Sequence, residues 1–413
     1  MKKVAVNIAR LVLAVVFVLS GFVKAVDPLG TQYKIADYLE AMGLSGLMPD
    51  FMTLSASILL SAIEFGIGIC LLFAIRRRFT SRVVLLFMLV MTPFTLWIAL
   101  TDPVSDCGCF GDAVVLTNWQ TFGKNVILLL LAVVVWRWPL DMVRFISKSN
   151  QWIVYIYTLL FILLVSGWSL YDLPYFDFRP YHVGTNLRQG WQQTMEGADL
   201  PYADFFMERV SDGEDITDSL LANDGYLFLL VSPHLEQADD SQLDLINQIY
   251  EYAEDNGYPF YCLTASGAKG INFWRDVTGA EYPFCQTDDI ALKTVIRSNP
   301  GLLLLKDGVI IRKWSHNRLP DEYQLADRLE QLEIGTMPED SIPRKVLVIV
   351  LWYVLPLLML TIADRLWAWS NWVRKKSFIN QITKKDNEKE NRSRQLENEP
   401  EPAGGPQSGQ GTE

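Results

Sequence analysis

Cysteine and histidine are scarce in this chain: five and three among 413 residues. So few thiols cannot build a disulfide-stapled scaffold, which packs many cysteines into a short exported domain. His182, His234 and His316 all lie far along the chain from Cys107 and Cys109. Two thiolates alone leave a zinc shell half empty, so a metal centre there is disfavoured. The C-x-x-C spacing of dithiol enzymes occurs nowhere. Basic residues are short as well, with 36 Lys and Arg against 47 Asp and Glu and a net charge of −11. That balance excludes nucleic acid, which needs a basic face. No repeat of solenoid period is present.

Long apolar runs are what the chain has instead. Half its residues are hydrophobic, and six stretches reach the roughly 20 residues a bilayer core requires. They are Val4–Val26, Phe51–Ile75, Val83–Leu100, Trp119–Trp138, Trp152–Leu170 and Val346–Trp369. Lys24 stands where small cleavage-site residues would be expected, so the first run reads as a retained helix. Arg76–Arg78, Arg137 with Arg144, Lys2 with Lys3, and Arg374–Lys376 fall on one side of a six-span chain. By the positive-inside rule that side is the cytoplasm. The loop carrying Cys107 and the segment 173–342 then face the periplasm of a bacterial inner membrane.

The expected architecture is a multi-pass α-helical membrane bundle with an α/β extracytoplasmic domain. Its parts are a four-helix core at 1–145, a fifth helix at 146–172, the domain at 173–342, a sixth helix at 343–370 and a tail at 371–413. The tail from Thr383 is charged and nearly free of apolar residues, and is expected to be disordered. From about 223 the pattern alternates strands and helices. Strands are expected at Tyr226–Ser232, Tyr258–Ala265 and, at an edge, Tyr282–Gln286. A hairpin follows, turning through Lys306-Asp307-Gly308.

Charge within the bundle calls for partners, because lipid-facing charge is costly. Glu64 lies midway along the second run among Ser57, Ser61, Gly66 and Gly68, with Arg10 within reach from the first. A structural ion pair and a proton or quinone site are both open for Glu64, and Lys24 joins it as a candidate. Cys107-Gly108-Cys109 sits in a polar loop at the periplasmic mouth. Gly108 supplies the backbone freedom a bridge across one residue needs, and a strained bridge is an oxidising one. Redox pair, structural turn and metal ligand remain the three readings, in that order of preference. Cys262 and Cys285 fall in two of the expected strands, where a disulfide or two inert thiols are open.

Two resemblances follow from particular residues. Ser20-Gly21-Phe22-Val23-Lys24-Ala25-Val26-Asp27-Pro28 and Glu64–Gly68 resemble the DoxX family. Asp106–Val135, with its CGCFG run, is similar to the MauE (methylamine utilisation) branch of that superfamily. The resemblance implies a four-helix core and a role in disulfide formation or maturation of exported proteins, with quinone as a cofactor. Asn299–Trp314 resembles the closing hairpin of the thioredoxin-like fold, which implies a cis bond at Pro300. Where thioredoxins carry C-x-x-C, this chain reads Val231-Ser232-Pro233-His234-Leu235-Glu236-Gln237, without cysteine. The expected function is support of thiol–disulfide chemistry by Cys107 and Cys109. The rivals are a non-catalytic envelope scaffold, binding a partner through this domain, and a small-solute transporter. Expected partners are membrane lipid and exported proteins.

Overall fold

The computed structural model describes residues 1–44, 46, 48–104, 108–197, 205–339 and 342–397. Helix α1 (Lys2–Val26) ends at Asp27, whose carboxylate accepts from Gly30 N at 2.9 Å and so caps α2 (Pro28–Ala41). Pro28 stands at the first position of α2, where its missing N–H costs nothing. The bundle continues with α3 (Asp50–Leu72), α4 (Arg77–Thr101), α5 (Asn118–Arg137) and α6 (Gln151–Tyr171). With a sixth stretch inside Ile342–Lys389, six helices are long and apolar enough to cross a membrane. The chain is a multi-pass membrane protein.

Helices α1 and α3 approach each other through glycine. A methyl group on Gly21 would lie 2.4 Å from Phe65 N, and one on Gly68 would lie 2.7 Å from Val18 N. Both contacts are backbone, so no side chain can replace them, as in small-residue helix interfaces of membranes. Helix α2 was not expected. It packs on the first turns of α3, where Ser57 Oγ donates to Pro28 O at 2.7 Å and Gln32 Nε2 donates to Asp50 O at 3.2 Å. Helix α3 therefore begins well beyond the end of α1. At the opposite end, Arg77 Nη1 donates to the Leu140 and Met142 carbonyls and Arg10 Nη1 to the Val143 carbonyl.

The α/β domain opens with α7 (Leu187–Met195), β1 (Glu208–Arg209) and α8 (Thr217–Leu221). Then follow β2 (Tyr226–Val231), α9 (Leu243–Asn256), β3 (Phe260–Thr264) and α10 (Ala268–Thr278). The last elements are β4 (Phe284–Gln286), α11 (Asp289–Val295), β5 (Gly301–Lys306) and β6 (Val309–Ser315). Strand order is β1-β4-β3-β2-β5-β6, with β2, β3 and β4 parallel and β5 antiparallel to both β2 and β6. The order β6-β5-β2-β3 is that of the thioredoxin fold. Every residue of β2 is buried, Tyr226, Phe228 and Leu230 into one core and Leu227, Leu229 and Val231 into the other. A strand covered on both faces reads as an unbroken apolar run, which is why YLFLLV shows no alternation. Strand β4 is not an edge, since β1 pairs outside it in register Arg209 to Cys285.

That register also decides between the two readings open for Cys262 and Cys285, a disulfide and two inert thiols. Cys285 pairs with Leu263, so Cys262 and Cys285 are one residue out of register on neighbouring strands. Adjacent residues of a strand point to opposite faces. Cys262 accordingly lies in one core and Cys285 in the other, and both are free thiols. Burial pushes the Cys285 thiol up to about 12 and raises that of Cys262 as well. Neither should react with a maleimide at neutral pH until the domain unfolds. Rapid native labelling, followed by mass spectrometry, would contradict this packing.

The chain divides into two compact units, Met1–Val354 and Leu355–Glu413. The first closes with α12 (Ile342–Ile349) and a wider turn at Val350–Val354. The second contains α13 (Leu355–Glu397), a single helix. Residues 383–397, expected to be disordered, are thus helical. Lys, Glu, Gln and Arg are good helix formers, and a helix already nucleated extends at little cost. Residues 398–413 lie outside the described chain.

Candidate functional site

The loop between α4 and α5 is held at both of its ends. Asn118 Nδ2 donates to Asp102 Oδ1 at 2.6 Å and to Val104 O at 2.8 Å. Thr117 and Gln120 form a reciprocal cap on α5. Gly108 has a φ of +61°, a left-handed conformation that favours glycine. Cys107 lies outside the described residues, with Ser105 and Asp106. Cys109 is half-buried, and Lys124 stacks on the ring of the next residue, Phe110, at 4.3 Å.

Beneath the loop lies a network that the sequence kept as separate sites. Lys24 Nζ donates to Glu64 Oε1 at 2.8 Å, to Glu64 Oε2 at 2.7 Å and to Ser20 Oγ at 2.9 Å. Ser20 Oγ in turn lies 2.7 Å from Glu64 Oε2 and 2.8 Å from the carbonyl oxygen of Cys109. Its single hydrogen serves one of those acceptors at a time. Lys24 and Glu64 are 6% and 3% exposed, so the partner of Glu64 is Lys24 and not Arg10. The reason is the stagger of α3: its first turns lie against α2, which brings Glu64 level with the end of α1. Lys24 is correspondingly an interior residue. Its three ammonium hydrogens each have an acceptor, leaving none for a quinone carbonyl, so these residues do not fit a quinone site.

Above the loop, Arg297 clasps the two domains together. Its Nε and Nη2 lie 2.8–3.1 Å from the Asp27 carboxylate, and Nη2 lies 3.6 Å from Asp112. The guanidinium also stands over the Tyr33 ring at 5.4 Å. Burial alone would raise the Asp27 carboxyl. The charges of Arg297 and Arg179, with hydrogen bonds from Arg297 and Gly30 N, hold it below the usual range instead. Arg297 immediately precedes the turn Ser298-Asn299-Pro300, whose Asn299–Pro300 bond is cis. Asn299 links this turn to the segment where thioredoxins carry their cysteines. Ser232 Oγ donates to Asn299 Oδ1 at 2.6 Å, and Asn299 Nδ2 donates to His234 O at 2.9 Å. His234 Nε2 lies 3.2 Å from Asp289 Oδ1, at the start of α11. Among the described residues no group of three His, Cys, Asp or Glu is placed to hold a metal.

Between these parts lies a cavity of about 990 Å³. Gly108, Gly111 and Asp112 line it from the loop, Tyr33 and Lys34 from α2, and Asp289, Lys293 and Arg297 from the α/β domain. Sequence reasoning found the loop and the pair below it but missed Arg179 and Arg297. Nothing in the sequence marks Arg297, whose partner Asp27 is 270 residues away.

Residues 2–137 match the family described as Methylamine utilisation protein MauE. No curated protein matches the chain. Among solved structures, one described as a candidate protein disulfide isomerase from Bacteroides thetaiotaomicron is 16% identical. It covers 29% of this chain and 77% of its own, with a TM-score of 0.23. A bacterioferritin comigratory protein and a peroxiredoxin Q variant, both from Xanthomonas campestris, are 16% and 17% identical. Each covers 30% of this chain and 88% of its own, with a TM-score of 0.22. The thioredoxin-like assignment rests on strand order.

Proposed function

We propose that this protein supports thiol–disulfide exchange with exported proteins at the periplasmic face of a bacterial inner membrane, through Cys107 and Cys109. The observation that carries the reading is the seat of the loop. The Cys109 carbonyl rests on a buried Ser20–Lys24–Glu64 network, under a thioredoxin-like domain that has no C-x-x-C of its own. A client thiolate attacks one sulfur of the Cys107–Cys109 bridge and breaks the S–S bond, leaving the other loop sulfur as thiolate. The second client thiolate then displaces the first loop sulfur, so two electrons pass to the loop and the client leaves with a disulfide. Exchange with the disulfide of a second thiol–disulfide partner, by the same two steps reversed, resets the loop.

The test is thiol trapping in cells. Cys107→Ser and Cys109→Ser should each abolish cycling, and the double variant should be no worse than either, as expected of groups acting as one unit. One single variant should accumulate a mixed disulfide with a client, because the remaining thiol lacks its resolving partner. Full activity in the double variant overturns the proposal and leaves the scaffold reading.

A further inference from the structure

We infer that the chamber above the CGC loop is a binding site for an extended peptide segment, which the α/β domain holds over the membrane cysteines. The inference rests on the exchange reading and names its substrate class. The first observation is size and composition. At about 990 Å³ the chamber stands at the upper end of the roughly 300–1,000 Å³ typical of ligand sites. A small inorganic ion would leave it mostly empty. Its wall sets Phe176 and Phe178, stacked at 5.7 Å, beside charges of both signs. A lipid chain would leave those charges desolvated, whereas a polypeptide offers both apolar side chains and main-chain polar groups.

The second observation is an orphaned donor. Arg179 lines the chamber and is 2% exposed. Its Nε donates to Asp177 Oδ1 at 2.7 Å and its Nη1 to Thr294 O at 3.3 Å, while Nη2 has no acceptor. A buried guanidinium N–H without a partner is costly, and such a group in a native structure calls for an explanation. The surrounding charge agrees. Arg179, Arg297 and Lys313 are buried cations that share Asp27 and Asp177, with Asp112 at the margin. An incoming peptide carbonyl or carboxylate supplies the missing acceptor. Gly108 and Arg179 line the same chamber, so a segment that fills it meets the cysteine loop.

The experiment uses the full chain in lipid nanodiscs and a short fluorescent peptide whose single cysteine is replaced by serine, so that binding is non-covalent. Fluorescence anisotropy should show saturable binding, retained in the Cys107→Ser/Cys109→Ser double variant. Arg179→Gln should weaken it by at least about tenfold, the factor carried by one charge-assisted hydrogen bond. Ile290 lines the chamber yet is 74% exposed, so Ile290→Trp narrows the chamber without disturbing a core. It should weaken binding comparably, and it decides the matter if Arg179→Gln fails to fold. No binding by the wild type, or undiminished binding by Ile290→Trp, overturns the inference whether or not the cysteines cycle. Peptide binding with no thiol trapping would sink the exchange reading alone.

Discussion

Glu64→Leu should lower the stability of the membrane bundle by ~3–5 kcal/mol, the cost of leaving one member of a buried ion pair without its partner. Lys24 would be left in an interior that offers it only the Ser20 hydroxyl. A full apolar replacement, Lys24→Met with Glu64→Leu, should recover most of that loss, because it removes both desolvated charges together. Thermal unfolding in nanodiscs reads both effects. The double variant also separates structure from function. Ser20 remains, but the two groups that fix its rotamer are gone, so the Cys109 carbonyl loses its fixed seat. Thiol cycling should then stay depressed by about tenfold or more even where stability has returned. Normal cycling in a stable double variant would reduce the pair to a packing element and remove the network from the mechanism.

That network shows where the sequence stops being informative. The membrane spans are legible because a bilayer imposes one requirement, about 20 apolar residues, that local composition either meets or fails. The strands Tyr226–Val231 and Gly301–Lys306 are legible for a similar reason: apart from Lys306, both are short apolar runs bounded by turns. Pairing between elements obeys no such local rule. Arg10, two turns into the first span, comes within reach of Glu64 midway along the second only if the two spans start level. Helix α3 breaks that symmetry by rising past α1 onto α2, and an offset of this kind depends on contacts such as Gly21 with Phe65 and Ser57 with Pro28. The Cys262–Cys285 bridge failed on register for the same reason. Neighbouring strands were foreseeable, but a shift of one residue, which sends the two sulfurs to opposite cores, is set by the whole sheet.

Arg297→Met should release the α/β domain from the mouth of the bundle. The substitution strips Asp27 of its bidentate partner, and Asp27 is only 20% exposed. Loss of a mostly buried carboxylate's partner costs ~3–5 kcal/mol, which falls here on the contact between domains and not on either core. Limited proteolysis of nanodisc-embedded protein should therefore cut sooner at the α2 and α11 surfaces, while the sheet stays intact. Alkylation of Cys109 should speed up, because Asp112, three residues on, loses the same cation. Arg297→Lys keeps the charge but not the paired geometry and should fall between the two. Acid gives an independent reading. The Asp27 carboxyl is depressed in the folded protein, so its contribution is present in full above the ordinary aspartate value of about 3.9 and is lost as pH falls through the lower folded value. Wild-type protection should accordingly persist through pH 5 and fail only in stronger acid. Loss of protection between pH 7 and 5 would show that a group other than the Asp27 carboxylate governs the clasp, and equal proteolysis of wild type and Arg297→Met would show that the Asp27–Arg297 pair does not hold the domain in place.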